Sequence, residues 1–107
     1  MSFNLVVWKW TEDYDTSAKR RKLKTKYGDV MSAFVESESH PAMCEHDFSS
    51  FVADVDSTVG PSVDGESYIL EPYPCAIVYN MGYSRVEALV PVIGNLARKH
   101  GLTSAEC

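Results

Sequence analysis

Residues 3–10, Phe-Asn-Leu-Val-Val-Trp-Lys-Trp, are β-branched and aromatic with no helix- or strand-breaking residue among them. Such a run predicts a strand buried on most of both faces, and therefore central in its sheet. Residues 11–15 are polar and read as a loop. From about Thr16 the period changes. Leu23, Tyr27, Val30, Met31, Phe34 and Val35 recur at i, i+4, i+7, i+8, i+11 and i+12, the stripe of one amphipathic helix. Gly28 inside that stripe costs about 0.8–1 kcal/mol relative to alanine, so the helix is expected to bend or fray there.

Residues 37–41 break this helix, and Pro41 suits the start of another. Phe48, Phe51, Val52, Val55 and Val59 mark a second apolar stripe that ends at Gly60, a natural residue for a helix stop. Residues 60–65 read as a loop. Residues 67–71 and 75–83 have strand character, and the short Pro72-Tyr73-Pro74 link makes them an antiparallel pair. Ser84 and Glu87 have the spacing of a capping box ahead of a third stripe, Val86, Leu89, Val90, Ile93, Leu96 and Ala97. Pro91 inside that stripe removes a backbone donor, so a kink is expected near the second turn. Arg98, Lys99 and His100 suit the C-terminal end of the helix dipole, and Gly101 stops it. Residues 102–107 read as a short edge strand or a frayed tail. The order is β-α-α-β-β-α, with a final β in the first case. Three helices with one apolar face each, against a small antiparallel-rich sheet of three or four strands, make the class α+β.

The 107 residues suffice for a single domain, 1–107, with one core that needs no metal or disulfide staple. No apolar run approaches the ~20 residues that span a bilayer, and the N-terminus lacks the basic and small-residue signals of a secretion leader. Three cysteines at irregular spacing fit reduced thiols in a cytoplasm.

Charge changes the picture more than composition does. The net charge of -5 conceals a sharp division. Lys19, Arg20, Arg21, Lys22, Lys24 and Lys26 crowd into residues 19–26. Residues 27–84 then contain no lysine or arginine and ten carboxylates. Average usage would place a cation about once in ten residues, so this stretch is a strong bias. A one-signed surface favours a partner of opposite sign and speeds their encounter.

Catalytic and metal chemistry find little support. His40, Cys44 and His46 are the only clustered ligand-type residues, and a closed zinc site needs a second pair that the sequence lacks. No cofactor motif is present, and none of the familiar nucleophile or phosphate-loop patterns appears. A small enzyme of unspecified chemistry would need Cys75 or Cys44 beside a histidine. The cations of residues 19–26 suggest phosphate contact, hence a nucleic-acid-contacting regulatory module. Against it, the rest of the chain is strongly acidic, and no aromatic residue interrupts the cations. The acidic stretch points instead to a basic protein partner, with Glu45, Asp47, Asp54 and Asp56 on or beside the second helix and Asp64 and Glu66 in the loop after it. Tyr68, Tyr73, Tyr79 and Tyr83 are candidate anchors, about half of which belong in the core.

Met-Ser-Phe-Asn-Leu-Val-Val-Trp at the start resembles the opening of small bacterial immunity proteins of polymorphic and contact-dependent growth inhibition toxin systems. Ala76-Ile-Val-Tyr, Tyr83-Ser-Arg-Val-Glu and Leu96-Ala-Arg-Lys-His-Gly-Leu complete the likeness, which covers roughly a third of the chain. The chain departs from that pattern in stopping soon after Gly101, where such proteins continue into a full strand. The resemblance implies a cytoplasmic, non-enzymatic protein that binds and neutralises one cognate toxin domain, often a nuclease with a basic active-site face. It implies no catalytic residues.

Overall fold

A computed structural model of the chain describes residues 2–60 and 68–106; Asp64, Glu66, Cys107 and most of the expected loop at residues 60–65 lie outside them. Four strands, β1 (Ser2–Trp8), β2 (Ile69–Pro72), β3 (Ala76–Gly82) and β4 (Thr103–Glu106), form one sheet in the order β2-β3-β1-β4. Every neighbouring pair is antiparallel. Four helices accompany it: α1 (Ser17–Lys22), α2 (Tyr27–Ser37), α3 (Ser49–Val59) and α4 (Tyr83–Lys99), with a 3-10 turn at Glu12–Tyr14. The α+β class is that expected, and β1 is central. The tail forms a short edge strand.

Alternation along β1 explains its unbroken apolar run. Leu5 and Val7 face one side of the sheet, where Ile77, Tyr79 and Met81 of β3 join Phe51 and Val55 of α3 and Leu89 and Ile93 of α4. Val6 and Trp8 face the other side, where they meet Val30, Met31 and Phe34 of α2 with Ala42, Met43 and Val78. The sheet therefore has helices on both faces, and β1 must be apolar on both.

The expected first helix is two helices, and the break precedes Gly28. Lys24 adopts a left-handed φ of 54°. Its N–H donates to the Arg21 carbonyl, and the Thr25 N–H donates to the Arg20 carbonyl. Together these complete a Schellman stop, built with lysine where glycine is usual. The cost of a side chain in that conformation is about 1 kcal/mol. Lys24→Gly is therefore expected to raise unfolding stability by about 1 kcal/mol, read as a higher midpoint in urea. An unchanged or lower midpoint would show that the stop carries no strain.

Two further expectations give way to long-range structure. Pro41 opens no helix, because the segment after it is held by β1's extension. Met43 bridges Trp10, Thr11 N–H donates to the Ala42 carbonyl, and the Ala42 N–H donates to His40 Nδ1. Ser84 and Glu87 form no capping box. Since β3 pairs as far as Gly82 opposite Ser2, the chain passes directly into α4 with Gly82 as its cap, and no side chain caps it. Around Pro91, α4 runs uninterrupted from Tyr83 to Lys99.

Candidate partner-binding groove

α3 has three distinct faces. Phe51 and Val55 turn into the core. Residues two apart on a helix lie about 200° from one another, so Asp54 and Asp56 cannot share a face. Asp54 turns to the end of α4, where its carboxylate accepts from Lys99 Nζ at 3.1 Å and sits 2.9 Å from His100 Nε2. Asp56 turns the opposite way and accepts from the Tyr68 hydroxyl at 2.7 Å. The carboxylates expected on or beside this helix thus lie on two flanks.

The Asp56 flank borders a groove of about 520 Å³ between the start of α3 and the β2–β3 hairpin. Its floor is apolar, with Phe48 and Val52 on the helix side and Leu70 and Ile77 on the sheet side. Tyr73, half-buried and edge-on to Phe34 at 5.2 Å, closes one end. Asp47 stands at the rim, and an adjoining depression places Glu45 and His46 beside Asp47 and Pro74. Three of the four described candidates, Glu45, Asp47 and Asp56, therefore come together, while Asp54 does not. Leu70, Ile77 and Val52 are the parts that sequence reasoning missed. Only strand register could have found the first two.

Asp47 has a local task as well. Its Oδ1 accepts from the Ser49 backbone N–H at 2.9 Å and from the Ser49 hydroxyl at 2.5 Å. The hydroxyl and then the backbone bond hold its carboxyl below the usual range, so it is charged at neutral pH. Asp54 is likewise held low, by the hydrogen bonds from His100 and then from Lys99. Its folded value lies below its ordinary 3.8, so its contribution to stability is full above that pH. It fades as pH drops below 3.8 and is gone beneath the folded value. Asp54→Asn is expected to flatten the acid limb of a stability–pH curve below about pH 4. An unaltered limb would show that the α3–α4 tether contributes nothing.

The tyrosines divide as expected. Tyr68 and Tyr79 are buried, whereas Tyr73 and Tyr83 reach solvent. The Tyr79 hydroxyl is buried without a hydrogen-bond partner among the described residues. Burial, followed by Tyr68 and Asp56, pushes its pKa up and keeps it neutral.

The thiols and imidazoles are dispersed in separate tasks. Cys75 is buried against the Glu38 carbonyl and Met43 sulfur, Cys44 lies near the Lys9 carbonyl, and His46 packs edge-on to Phe48. Among the described residues no group of three or more His, Cys, Asp or Glu could hold a metal ion, and no helix is long and apolar enough to cross a membrane.

The cations of residues 19–26 have divergent surroundings. Lys19 pairs with Asp15 at 2.9 Å, and Arg20 lies over the Trp10 ring at 4.6 Å while donating to the Tyr14 carbonyl. Arg21, Lys22, Lys24 and Lys26 are exposed and make no ion pair among the described residues. Comparison with known proteins gives no match to a family model, to a curated protein or to a solved structure.

Proposed function

We propose that this chain is an immunity-type protein that binds a basic toxin domain, such as a nuclease, and neutralises it by occupying its cationic face. The observation that carries the reading is the groove: an apolar floor rimmed by Glu45, Asp47 and Asp56, within a stretch of chain that holds no lysine or arginine. Carboxylates at a rim accelerate encounter with a cationic surface, and an apolar floor receives an anchoring side chain that sets residence time. The resemblance at the two ends of the chain supports the same class. No catalytic role is needed, and the partner is a cytoplasmic protein domain rather than a membrane.

The test is protection in cells. Co-expression with its cognate toxin domain is expected to restore growth to cells that the toxin alone arrests. Glu45→Lys combined with Asp47→Asn is expected to lose that protection while the protein still accumulates. Full protection by the variant would remove the groove from the reading.

The four exposed cations favour a second reading, nucleic-acid contact through residues 19–26. Filter binding at low salt separates the two. Retention of RNA or DNA that is lost with Lys22→Glu and Lys24→Glu would support the second; no retention supports the first.

A further inference from the structure

We infer that the groove receives one arginine side chain of the partner, its aliphatic stem over Val52 and Leu70 and its guanidinium against Asp56. The inference deepens the partner-binding reading of the groove and rests on it.

The contrast between the two flanks of α3 carries it. Asp54, on one flank, is met by cations of its own chain: Lys99 Nζ lies 3.1 Å from its carboxylate and His100 Nε2 lies 2.9 Å from it. Asp56, on the other flank, is half-buried and has no ion pair among the described residues. Its Oδ1 accepts from the Tyr68 hydroxyl at 2.7 Å, a neutral donor that orients the carboxylate without cancelling its charge. Tyr79 is buried edge-on to Tyr68 at 5.1 Å, and its hydroxyl has no hydrogen-bond partner, so it gives Asp56 no second bond. A half-buried carboxylate without a counter-charge carries a desolvation cost that an incoming cation offsets.

The lining of the groove fits the rest of an arginine. Its described residues include two carboxylates, Asp47 and Asp56, and no lysine or arginine. Asp47 accepts from the Ser49 N–H at the start of α3, and Asp56 follows Ser49 by seven residues. The two acids therefore lie about 10 Å apart along the helix axis, and a single cationic head meets only one of them. Asp47 is exposed, so water screens it more than it screens Asp56. Between them the floor is apolar, with Val52 on the helix side and Leu70 and Ile77 on the sheet side.

A methylene stem lies on such a floor while its charged head stays at the polar end. A wholly apolar side chain would leave Asp56 without a counter-charge. Lysine would supply the charge, but its ammonium is strongly hydrated and loses more on entering an apolar-walled groove. The guanidinium is more weakly hydrated, and its several donors reach the free oxygen of Asp56 while others stay in water.

NMR titration of the whole chain with Nα-acetyl-arginine methylamide tests this, beside the lysine and citrulline counterparts of that probe. Citrulline keeps the shape of arginine and removes its charge. The arginine probe is expected to shift the amides of residues 52–56 and 68–72 saturably, with a dissociation constant of about 1–10 mM. It is expected to bind at least about fivefold tighter than either counterpart. Asp56→Asn, which keeps an oxygen for Tyr68, is expected to lose the preference for arginine over citrulline, and Asp54→Asn to retain it. No saturable shift at these residues, or equal affinity for the lysine or citrulline probe, would overturn the inference. So would an Asp56→Asn chain that folds and keeps the preference. The three-probe comparison on the unaltered chain decides the matter even where a variant fails to fold. Growth protection judges the toxin partner separately. Arginine preference without protection keeps the arginine site and discards the toxin; protection without arginine preference discards the arginine anchor alone.

Discussion

Phe51→Ala is expected to cost about 3–5 kcal/mol of unfolding free energy, a large share of what a domain of this size holds. Phe51 is 1% exposed, at the point where α3 meets both the sheet and the end of α4. Its ring stands edge-on to Tyr79 at 6.2 Å and to His100 at 5.7 Å. Truncation removes the ring's transfer free energy and leaves a void. The surrounding strands cannot close it, because β1 and β3 are fixed by antiparallel pairing along their length. The melting midpoint should fall by at least about 12 °C. Phe51→Leu, which keeps most of the volume, should cost much less. A loss below about 1 kcal/mol for the alanine variant would mean that α3 is not docked on the sheet as described.

Charge exchange at the groove is the second large effect. Glu45→Lys with Asp47→Asn shifts the local charge by three units, and asparagine keeps the oxygen that accepts from Ser49. Binding to the proposed basic partner should weaken by about tenfold at low salt, chiefly through slower association. The difference should shrink at high salt as screening removes the long-range attraction. Asp54→Lys should change affinity less, because Asp54 already faces Lys99 and His100 on the far flank of α3. Equal losses from the two sites would point to net charge rather than a placed groove. Calorimetric titration at two salt concentrations distinguishes these outcomes.

Where local pattern governs, the fold was legible. The continuous apolar run of β1 marked a central strand, the Pro72-Tyr73-Pro74 link marked an antiparallel pair, and Gly60 marked the end of α3, with φ of 81°. The first helix was misjudged because its stop uses Lys24, a residue with no preference for a left-handed backbone. The capping box at Ser84 was misjudged because the pairing of β3 with β1 continues to Gly82 and moves the helix start upstream. The second error is tertiary context overriding a sound local signal; the first is a local stop built on an atypical residue.

The candidate site divides the same way. The carboxylates were visible as composition, and Glu45, Asp47 and Asp56 do converge. Helical spacing alone already separates Asp54 from Asp56; what lay beyond the sequence pattern was the contact of Asp54 with Lys99 and His100, 45 and 46 positions away. No spacing rule anticipates such a contact. The groove floor was also hidden, since Leu70 and Ile77 reach it only through the register of β2 on β3. Polarity was in the chain, but its division between a tether and a docking rim belongs to the fold.

Hydrogen exchange on a complex with the proposed basic toxin partner addresses the groove most directly. Slowed exchange is expected across residues 45–53 and 70–77, the two walls of the groove, with residues 17–26 unaffected. Protection confined to residues 17–26, with both walls unchanged, would contradict the proposed binding face.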